Sequence, residues 1–470
     1  MARRVGHLRN LLARFLVTAL AAQHTCGGVI PETHYARSGG AHIACQVVGD
    51  GPVDVLLAPH FFQHLELWWE CRHRCSFTEA LVALSRVILL DKRGTGLSDR
   101  TCGVPPFDVQ MDDVRAVLDA AGVERAVLWA GGDATPMLLL FAATYPDRVR
   151  GLVLWDPHPT FIRNPEMPWL MTRAEFDDAV RETAKALEDR EASFLVDAAP
   201  SLTSAEERRL FWRVRRLGTS PGDHLAFAGV LAETDVRHVL PAIHAPSLVL
   251  TNVALADRHE STQYVADRLP RATLSVLPGV DRLMLACDPA PIMGELQSFL
   301  ERLRETSYEE ADRVLATVLF TDIVGSTEKA VTLGDRAWRD LVERHHGVVR
   351  SQLARFRGKE IDTAGDGFFA TFDGPARAIH CARAISESIR DLDLEIRAGL
   401  HTGEVELAED RPRGIAVHIG ARVAAHAAPG EVLVSNTVKD LVAGSGIEFD
   451  DRGTAELKGV PVEWRLFAVR

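Results

Sequence analysis

An excess of positive charge is the first thing that this sequence lacks. Its 53 Lys and Arg residues are outnumbered by 65 Asp and Glu residues, which gives a formal net charge of −12. Binding to the phosphate backbone of a nucleic acid requires a basic face, so this balance argues against a nucleic-acid partner. An anionic nucleotide would have to be held locally, by metal ions and a few well-placed cations.

Paired cysteines and long apolar runs are also missing. The seven cysteines are scattered without CxxC spacing, which favours reduced thiols and a cytosolic setting. Residues 1–9 are basic and residues 11–22 are largely apolar, which partly resembles a secretory signal. Arg14 interrupts the apolar run, however, and the run is too short to span a bilayer. We therefore predict an N-terminal extension over residues 1–34 and no stable membrane span.

Chain length and periodicity predict two domains. At 470 residues the chain exceeds what one hydrophobic core usually organises. Strand and helix patterns alternate over residues 35–300, as a parallel α/β sheet requires, with a helical insertion between about residues 168 and 237. Buried strands are predicted at residues 53–58, 85–91, 125–129, 151–155 and 247–250. This pattern indicates a doubly wound, mostly parallel sheet.

The pattern changes after a charged, helix-favouring segment, which we interpret as a linker over residues 301–313. In the second domain, residues 314–470, we predict a strand, an amphipathic helix, a hairpin, a second helix and a further strand. These elements are predicted at residues 314–323, 335–356, 360–372, 375–390 and 394–401. Their order indicates an α+β ferredoxin-like fold of a size usual for one domain.

Two short acidic stretches in the second domain indicate a metal and phosphate site. Residues 320–327 read Phe-Thr-Asp-Ile-Val-Gly-Ser-Thr, and residues 362–369 read Asp-Thr-Ala-Gly-Asp-Gly-Phe-Phe. Carboxylate oxygens such as those of Asp322 and Asp366 suit Mg²⁺, and two carboxylates on adjacent strands can bridge a pair of ions. The amides after Asp322 lead into a helix start, which favours a phosphate cradle. One such aspartate alone would more often cap a strand end, so the pair is the stronger signal.

Five ordered motifs resemble the catalytic domain of class III adenylyl and guanylyl cyclases over residues 315–470. The motifs begin at Leu319, Ala364, Ile396, Ala416 and Glu456 and read LFTDIVGS, AGDG, IRAGLHTG, AVHIGARV and ELKG. The resemblance implies a head-to-tail homodimer with composite sites at its interface. Each site would bind a nucleoside triphosphate and two Mg²⁺ or Mn²⁺ ions.

The same resemblance implies roles for individual residues. One chain would supply Asp322, Asp366 and the Ile323 carbonyl to metal, and Arg397, Gly325, Ser326 and Thr327 to phosphate. The partner chain would supply Lys458 to the β- and γ-phosphates and Arg422 to the charge that develops at the α-phosphorus. The family's transition-state asparagine corresponds to His418, four residues before Arg422 and so on the same helical face. His418 can still donate a hydrogen bond, and a partly buried histidine at a dimer interface is the alternative.

The positions expected to recognise the base depart further from the family. Asp362 stands where lysine is common, and Arg411, with Asp410 adjacent, stands where aspartate is common. We hypothesise that this exchange relaxes or reverses the choice between ATP and GTP, because an acceptor suits guanine N1–H and N2 while arginine suits O6. The alternatives are an Asp362–Arg411 salt bridge that reads no base, or Asp410 substituting after a loop shift.

The first domain resembles the α/β-hydrolase family through residues 90–99 and 141–149, but its catalytic positions lack the side chains that the family uses. The nucleophile position falls on Gly132, the histidine position on Arg282, and the oxyanion loop reads Pro59-His60-Phe61. The acid position falls near Ala254, with Asp257 out of register. Four losses together indicate a scaffold rather than a hydrolase. Asp133 is then either a nucleophile after a one-residue slip or a cap of the following helix.

The sequence as a whole predicts a cytoplasmic nucleotidyl cyclase that converts ATP, or GTP, to the 3′,5′-cyclic nucleotide and pyrophosphate. The cytoplasm follows from the substrate, because nucleoside triphosphates lie inside the cell. The hydrolase-like domain would be regulatory or structural, with a small-molecule ligand as one option, and the pairing resembles a known actinobacterial arrangement. The rival interpretations are a nucleotide-binding or ligand-sensing pseudoenzyme, and an active α/β-hydrolase with a degenerate cyclase domain.

Overall fold

The computed structural model describes residues 30–58, 60–100, 103–189, 199–305, 313–408, 411–460 and 463–470. Most of the expected N-terminal extension, residues 1–29, and most of the expected linker, residues 306–312, lie outside the described residues. In the described part of the chain, no helix combines the length and the apolar character needed to cross a bilayer. The described residues form two sheets, one before and one after residues 306–312.

The first sheet has eight strands and is mostly parallel. Its strands are β1 (His34–Ser38), β2 (Ala41–Val48), β3 (Asp54–Leu57), β4 (Arg86–Leu90), β5 (Ala126–Gly132), β6 (Val149–Pro157), β7 (Ser247–Asn252) and β8 (Ala272–Leu277). They lie in the order β1-β2-β4-β3-β5-β6-β7-β8. The β1–β2 and β2–β4 pairs are antiparallel, and the pairs from β3 onward are parallel. This confirms the predicted doubly wound sheet.

Helices cover both faces of this sheet. They are α1 (Leu65–Trp68), α2 (Arg72–Val82), α3 (Phe107–Ala120), α4 (Thr135–Thr144), α5 (Arg173–Asp189), α6 (Ala205–Gly218), α7 (Pro221–Glu233), α8 (His259–Arg268) and α9 (Pro289–Glu305). Leu56 and Ile88 pack in one buried cluster, whereas their neighbours Val55 and Val87 pack in another. Successive side chains of a strand point to opposite faces, so strands covered on both faces read as continuous apolar runs.

The last helix of the first domain extends further than the charge pattern predicted. Helix α9 continues to Glu305 and so includes the first five residues of the expected linker. Leu303 is 9% exposed and packs in the same cluster as Phe299, while Glu301, Arg302 and Arg304 are exposed. One buried position in a charged helical turn was enough to hold this segment on the domain.

The second domain is an α+β fold, as predicted. Its strands are β9 (Arg313–Ile323), β10 (Lys359–Ala364), β11 (Gly367–Phe372), β12 (Ile396–Ala408), β13 (Arg411–Arg413), β14 (Val432–Ser435), β15 (Phe449–Glu456) and β16 (Glu463–Val469). Its helices are α10 (Ser326–Leu333), α11 (Asp335–Arg355), α12 (Pro375–Ser388), α13 (Ile415–His426) and α14 (Asn436–Leu441). The sheet order is β10-β11-β9-β12-β14-β16-β15, with β13 beside β12.

The two faces of β9 pack against different parts of the second domain. Leu319 and Ile323 pack in the main core with residues of α11 and α12. Val318 packs with residues of α13 on the opposite face, and the partly buried Phe320 lies against the same cluster. Because side chains alternate along a strand, Asp322 shares the face of Val318 and Phe320.

The two domains are in direct contact. Leu315 of β9 belongs to the same buried cluster as Met111 of α3 and Leu140 of α4. The Tyr145 hydroxyl, just after α4, donates a hydrogen bond of 2.8 Å to Asp373 Oδ2. Asp373 follows β11 directly, so the first domain contacts the second at the end of a strand that is second from the edge of its sheet.

Candidate functional site

The two predicted metal-binding aspartates lie at the same end of neighbouring strands. β11 runs antiparallel to β9, with Phe368 opposite Thr321. This register brings Asp322, near the end of β9, and Asp366, just before β11, to one edge of the sheet. Arg397 of β12 lies opposite Asp322 on the other side of β9.

The carboxylates at this edge fit a divalent cation. Asp366 Oδ2 is buried and has no hydrogen-bond partner among the described residues, a state that costs free energy unless a ligand satisfies it. Asp322 Oδ2 accepts hydrogen bonds from Arg397 Nε at 3.2 Å and Nη2 at 2.5 Å. The described residues hold no cluster of three or more potential metal-binding side chains. That is compatible with Mg²⁺, which often uses one or two carboxylates and completes its shell with phosphates and water.

The loop after Asp322 ends in a helix start without a side-chain cap. Gly325 occupies the N-cap position of α10 with φ 65° and ψ 27°, a left-handed conformation that glycine adopts at little cost. No capping side chain accepts a hydrogen bond from the N–H groups of the first helical turn, which begins at Ser326 and Thr327. Uncapped amides at a helix N-terminus are suited to phosphate oxygens.

Two histidines support the turn that carries Asp366, and the sequence analysis did not identify them. His346 Nε2 lies 3.0 Å from the Gly365 carbonyl oxygen, and both His345 and His346 pack edge-on against the Phe368 ring. Burial, with a smaller contribution from His346, lowers the pKa of His345 to about 4. The sequence feature that could have identified this support is the adjacent pair of histidines within the amphipathic helix α11.

His418 and Arg422 lie one turn apart on α13 and are both exposed. Within the described residues neither side chain makes a hydrogen bond or an ion pair. The buried side of α13 packs tightly on the sheet, because a Cβ placed on Gly420 would lie 2.4 Å from Val318 Cγ2. Lys458, in the turn after β15, is exposed as well. All three side chains are therefore accessible to a second molecule.

The base-recognition candidates are only partly described. Asp362 is exposed and lies opposite Phe369 in the β10–β11 pair, and Phe369 lies opposite Phe320 in turn. The rings of Phe320 and Phe369 stack with centroids 4.5 Å apart. Paired residues share one face of a sheet, so Asp362 lies beside an aromatic surface on the same face as Asp322. The backbone of Arg411, the first residue of β13, pairs with Ala408 of β12. Asp410 lies outside the described residues.

In the first domain, Gly132 lies at the turn between β5 and α4. Its φ of 48° is the left-handed conformation expected at the elbow position of the α/β-hydrolase family. A Cβ at Gly132 would meet only His60 Cε1, at 3.8 Å. Arg282 lies in the loop after β8, while Pro59 and the side chain of Asp257 are outside the described part. The loss of the catalytic set therefore stays a prediction from sequence.

Of the two interpretations left open for Asp133, the helix cap is wrong. Helix α4 has Ala134 at its N-cap and no side-chain capping bond. Asp133 Oδ1 lies 2.5 Å from His60 Nδ1, and Asp133 Oδ2 accepts a hydrogen bond of 2.9 Å from the Phe61 amide. Burial raises the pKa of Asp133, but His60, Lys92 and the hydrogen bonds outweigh burial and hold it well below its ordinary value. Asp133 thus binds the loop that would carry an oxyanion hole.

Comparison with family models agrees with both folds. Residues 307–469 match the model described as adenylate and guanylate cyclase catalytic domain, and residues 55–282 match the model described as alpha/beta hydrolase fold. The chain therefore joins an α/β-hydrolase-fold domain to a domain of the adenylate and guanylate cyclase catalytic family.

Individual relatives match one domain at a time. A protein provisionally named adenylate cyclase 3 in Rhizobium meliloti is 29% identical over 168 residues, which are 32% of this chain and 27% of that protein. An AB hydrolase superfamily protein of Bacillus subtilis is 29% identical over 172 residues, 35% of this chain and 62% of that protein. The chain thus spans about a quarter of the length of the cyclase relative.

Solved structures also match one domain at a time. The adenylyl cyclase CyaB of P. aeruginosa is 23% identical with a TM-score of 0.32, over 34% of this chain and 94% of that chain. A bromoperoxidase of Bacillus anthracis is 20% identical with a TM-score of 0.48, over 58% of this chain and all of that chain.

Proposed function

We propose that residues 313–470 convert a nucleoside triphosphate, ATP in the first place, to the 3′,5′-cyclic nucleotide and pyrophosphate. The observation that carries this proposal is the buried, unpartnered Oδ2 of Asp366 beside the strand that bears Asp322. The family match of residues 307–469 supports the same class of reaction. The reaction belongs inside the cell, because that is where nucleoside triphosphates lie.

Asp322, Asp366 and the Ile323 carbonyl would hold two Mg²⁺ or Mn²⁺ ions. Bound ions of this kind lower the pKa of an attacking hydroxyl and neutralise charge on phosphate oxygens. The amides that follow Gly325 would orient the triphosphate, since they begin a helix without a side-chain cap. Arg397 would exchange its ion pair with Asp322 for a phosphate oxygen of the substrate.

The remaining groups would come from a second copy of the chain. Arg422 and His418 are exposed on α13 and have no hydrogen-bond partner among the described residues of their own chain. In a symmetric dimer, Arg422 would donate to the oxygens of the pentacovalent α-phosphorus while His418 donates to the substrate in the transition state. Lys458 would bind the β- and γ-phosphates. The metal-binding and charge-stabilising halves of one site thus belong to different protomers.

A direct assay tests the reaction. The full chain is incubated with ATP or GTP and Mn²⁺, and cyclic nucleotide is measured by chromatography. We expect product from at least one nucleotide, and we expect Asp322→Asn and Asp366→Asn to reduce it by about a thousandfold or more, since each removes a group that acts on developing charge. Asp340→Asn, at an exposed carboxylate of α11, is the matched control and should retain activity. Nucleotide binding without product, even at high Mn²⁺ and protein concentration, would instead identify a pseudoenzyme.

A mixing experiment tests the composite site. Asp322→Asn and Arg422→Ala are each expected to be inactive alone, because each homodimer lacks one half of both sites. After equal mixing and exchange of protomers, activity should return to about a quarter of the wild-type value, because half of the dimers are mixed and each holds one intact site. Mixing that restores no activity, with exchange shown by mass spectrometry, would contradict the shared site.

A further inference from the structure

A cavity of about 250 Å³ lies in the first domain beside the loop that follows β4. Phe61 and Phe227 form one wall, with ring centroids 4.1 Å apart and the rings parallel within 1°. Val104 and Pro105 add further apolar surface. The volume is below that of typical drug-binding sites, so it suits a small ligand.

Lys92 lines this cavity and has no charge partner in contact. The residue is 8% exposed, and its Nζ lies 5.0 Å from the centroid of the Phe227 ring. Within the described residues Lys92 Nζ makes no hydrogen bond and has no carboxylate within ion-pair distance. Burial lowers the pKa of Lys92, and the charge of Asp133 opposes that effect only in part. Asp133 is itself bound to His60 and to the Phe61 amide.

The other charged residues of the wall leave this positive charge unbalanced. Arg93 donates to Asp113 Oδ2 at 3.0 Å, so its charge is matched. Arg100 donates to backbone carbonyl oxygens, those of Gly94 and Gly96, and not to a carboxylate of the described chain. Asp223 is the one acid among the described residues that line the cavity, and it accepts a hydrogen bond of 2.7 Å from Ser220 Oγ.

We propose that this cavity binds a small organic anion, a carboxylate with a compact apolar group, and that helix α3 couples its occupancy to the cyclase domain. The carboxylate would pair with Lys92, and the apolar group would lie against Phe61 and Phe227. A largely buried ammonium group without an ion-pair partner is costly, and an anionic ligand removes that cost. The coupling half of this proposal rests on the cyclase function proposed above.

Helix α3 contacts the cavity and the cyclase domain at once. Gln110 lines the cavity, and Asp113 holds Arg93 of its wall. From other positions of the same helix, Asp112 Oδ2 accepts hydrogen bonds from Arg377 Nη2 at 2.6 Å and from Arg357 Nη2 at 2.5 Å. A ligand that shifts the wall of the cavity would therefore shift a helix that binds the second domain.

The contact continues toward the candidate metal site. Arg115 of α3 lies 3.4 Å from Asp373 Oδ2, which also accepts the Tyr145 hydrogen bond. Asp373 follows β11, and Asp366 precedes β11. One six-residue strand thus joins the interface to the candidate metal site, and the proposed coupling would pass along this rigid element.

Binding is tested without any cyclase assay. Benzoate is titrated into the full chain by calorimetry, with benzamide as the neutral isostere, up to about 10 mM, a range suited to ligands of this size. We expect benzoate to bind and benzamide to bind at least tenfold more weakly, or about 1.4 kcal/mol. Lys92→Met should lose at least about tenfold in benzoate affinity, because a charge-assisted contact is removed. Lys185→Met, at an exposed lysine of α5, is the matched control and should bind as the wild type does.

The stability of the ligand-free variant separates a ligand-binding lysine from a structural one. Lys92→Met should unfold at the same temperature as the wild type or above it, because it removes a buried charge that has no partner. A lower unfolding temperature would identify Lys92 as a structural ion-pair residue and overturn the assignment. Equal affinity for benzoate and benzamide, or no binding of benzoate in this range, would also overturn it.

Coupling is tested on the variant Asp112→Asn, which lies outside both sites. In the wild type, saturating benzoate should change the rate of cyclic nucleotide formation at least twofold. Asp112→Asn should bind benzoate unchanged and lose that rate change. Benzoate binding with an unchanged rate in an active wild type overturns the coupling and leaves the binding site standing. If the chain forms no cyclic product, the proposed function fails, and the coupling with it, while the calorimetric result is unaffected.

Discussion

Arg397 Nη2 donates a hydrogen bond of 2.5 Å to Asp322 Oδ2 across two neighbouring strands. The two residues are direct register partners of the β9–β12 pair. The carboxylate expected to bind metal and the guanidinium expected to bind phosphate therefore neutralise each other in the structure. Metal binding to Asp322 would release Arg397 for phosphate, and phosphate binding to Arg397 would release Asp322 for metal. Metal and triphosphate would therefore replace this ion pair together.

Arg397→Gln should separate the two roles. Removing the competing cation should tighten Mn²⁺ binding in the absence of nucleotide by up to about fivefold, because exposed ion pairs are worth about 0.2 to 1 kcal/mol. The KM for triphosphate should rise by about tenfold, because a charge-assisted hydrogen bond to phosphate is lost. Calorimetry gives the first value and initial rates give the second.

The control for that experiment is Arg390→Gln, at an exposed arginine just after α12. It should change neither metal affinity nor KM. An Arg397→Gln variant with a lower KM, or with weaker metal binding, would show that the arginine serves Asp322 rather than the substrate.

The choice of base should depend on positions 362 and 411. Asp362→Lys combined with Arg411→Asp restores the arrangement common in the family, so the ratio of kcat/KM for ATP to that for GTP should rise by about tenfold or more. Asp362→Asn keeps the side-chain size and serves as the matched neutral variant. An unchanged ratio in the double variant would show that these positions do not read the base.

Sequence reasoning succeeded where local pattern decides structure. The strands ending at Asp322 and beginning after Asp366 were visible because apolar runs end beside glycine at both places. The adjacency of β9 and β11 was only a condition of the sequence argument, and their register comes from the structure. The four-residue spacing of His418 and Arg422 also indicated one helical face, and the structure places both residues on α13.

What sequence reasoning missed depends on contacts between distant segments. Asp133 precedes a helix and so looked like a cap, but its partner His60 comes from a loop 73 residues earlier. The stacked pair of Phe320 and Phe369 arises only when β9 and β11 align. Leu303 is a single apolar residue among charges, and only the packing of α9 shows that it is buried.

Gly132→Ser should fold but should not produce an esterase. The added Cβ has room, since its nearest neighbour would be His60 Cε1 at 3.8 Å, although the left-handed backbone costs about 1 kcal/mol. We expect no general base at the predicted histidine position, because the sequence places Arg282 there. Gly132→Ala carries the same backbone strain without a hydroxyl and is the control. Release of p-nitrophenol from p-nitrophenyl acetate by Gly132→Ser, above that of Gly132→Ala, would contradict an emptied site.

The second domain should lose stability in mild acid through His401. This residue is 3% exposed, and its Nδ1 lies 2.8 Å from Ser435 Oγ. Burial, with a smaller contribution from His238, lowers the pKa of His401 to about 3 in the folded chain. The unfolded chain takes up the proton near pH 6.5 while the folded chain resists it. The stabilisation is therefore complete above about pH 6.5 and is lost as pH falls toward 3.

The variant His401→Asn keeps a polar atom near Ser435 and removes the titrating group. It should be less stable than the wild type at pH 7.5, because the edge contact of His401 with the Trp464 ring is lost. Between pH 6.5 and 4.5, however, its free energy of unfolding should fall by about 2 kcal/mol less than that of the wild type. Urea denaturation at each pH measures both values, and His426→Asn, at an exposed histidine of α13, is the control. Parallel pH profiles for wild type and His401→Asn would show that His401 does not exclude the proton in the folded chain.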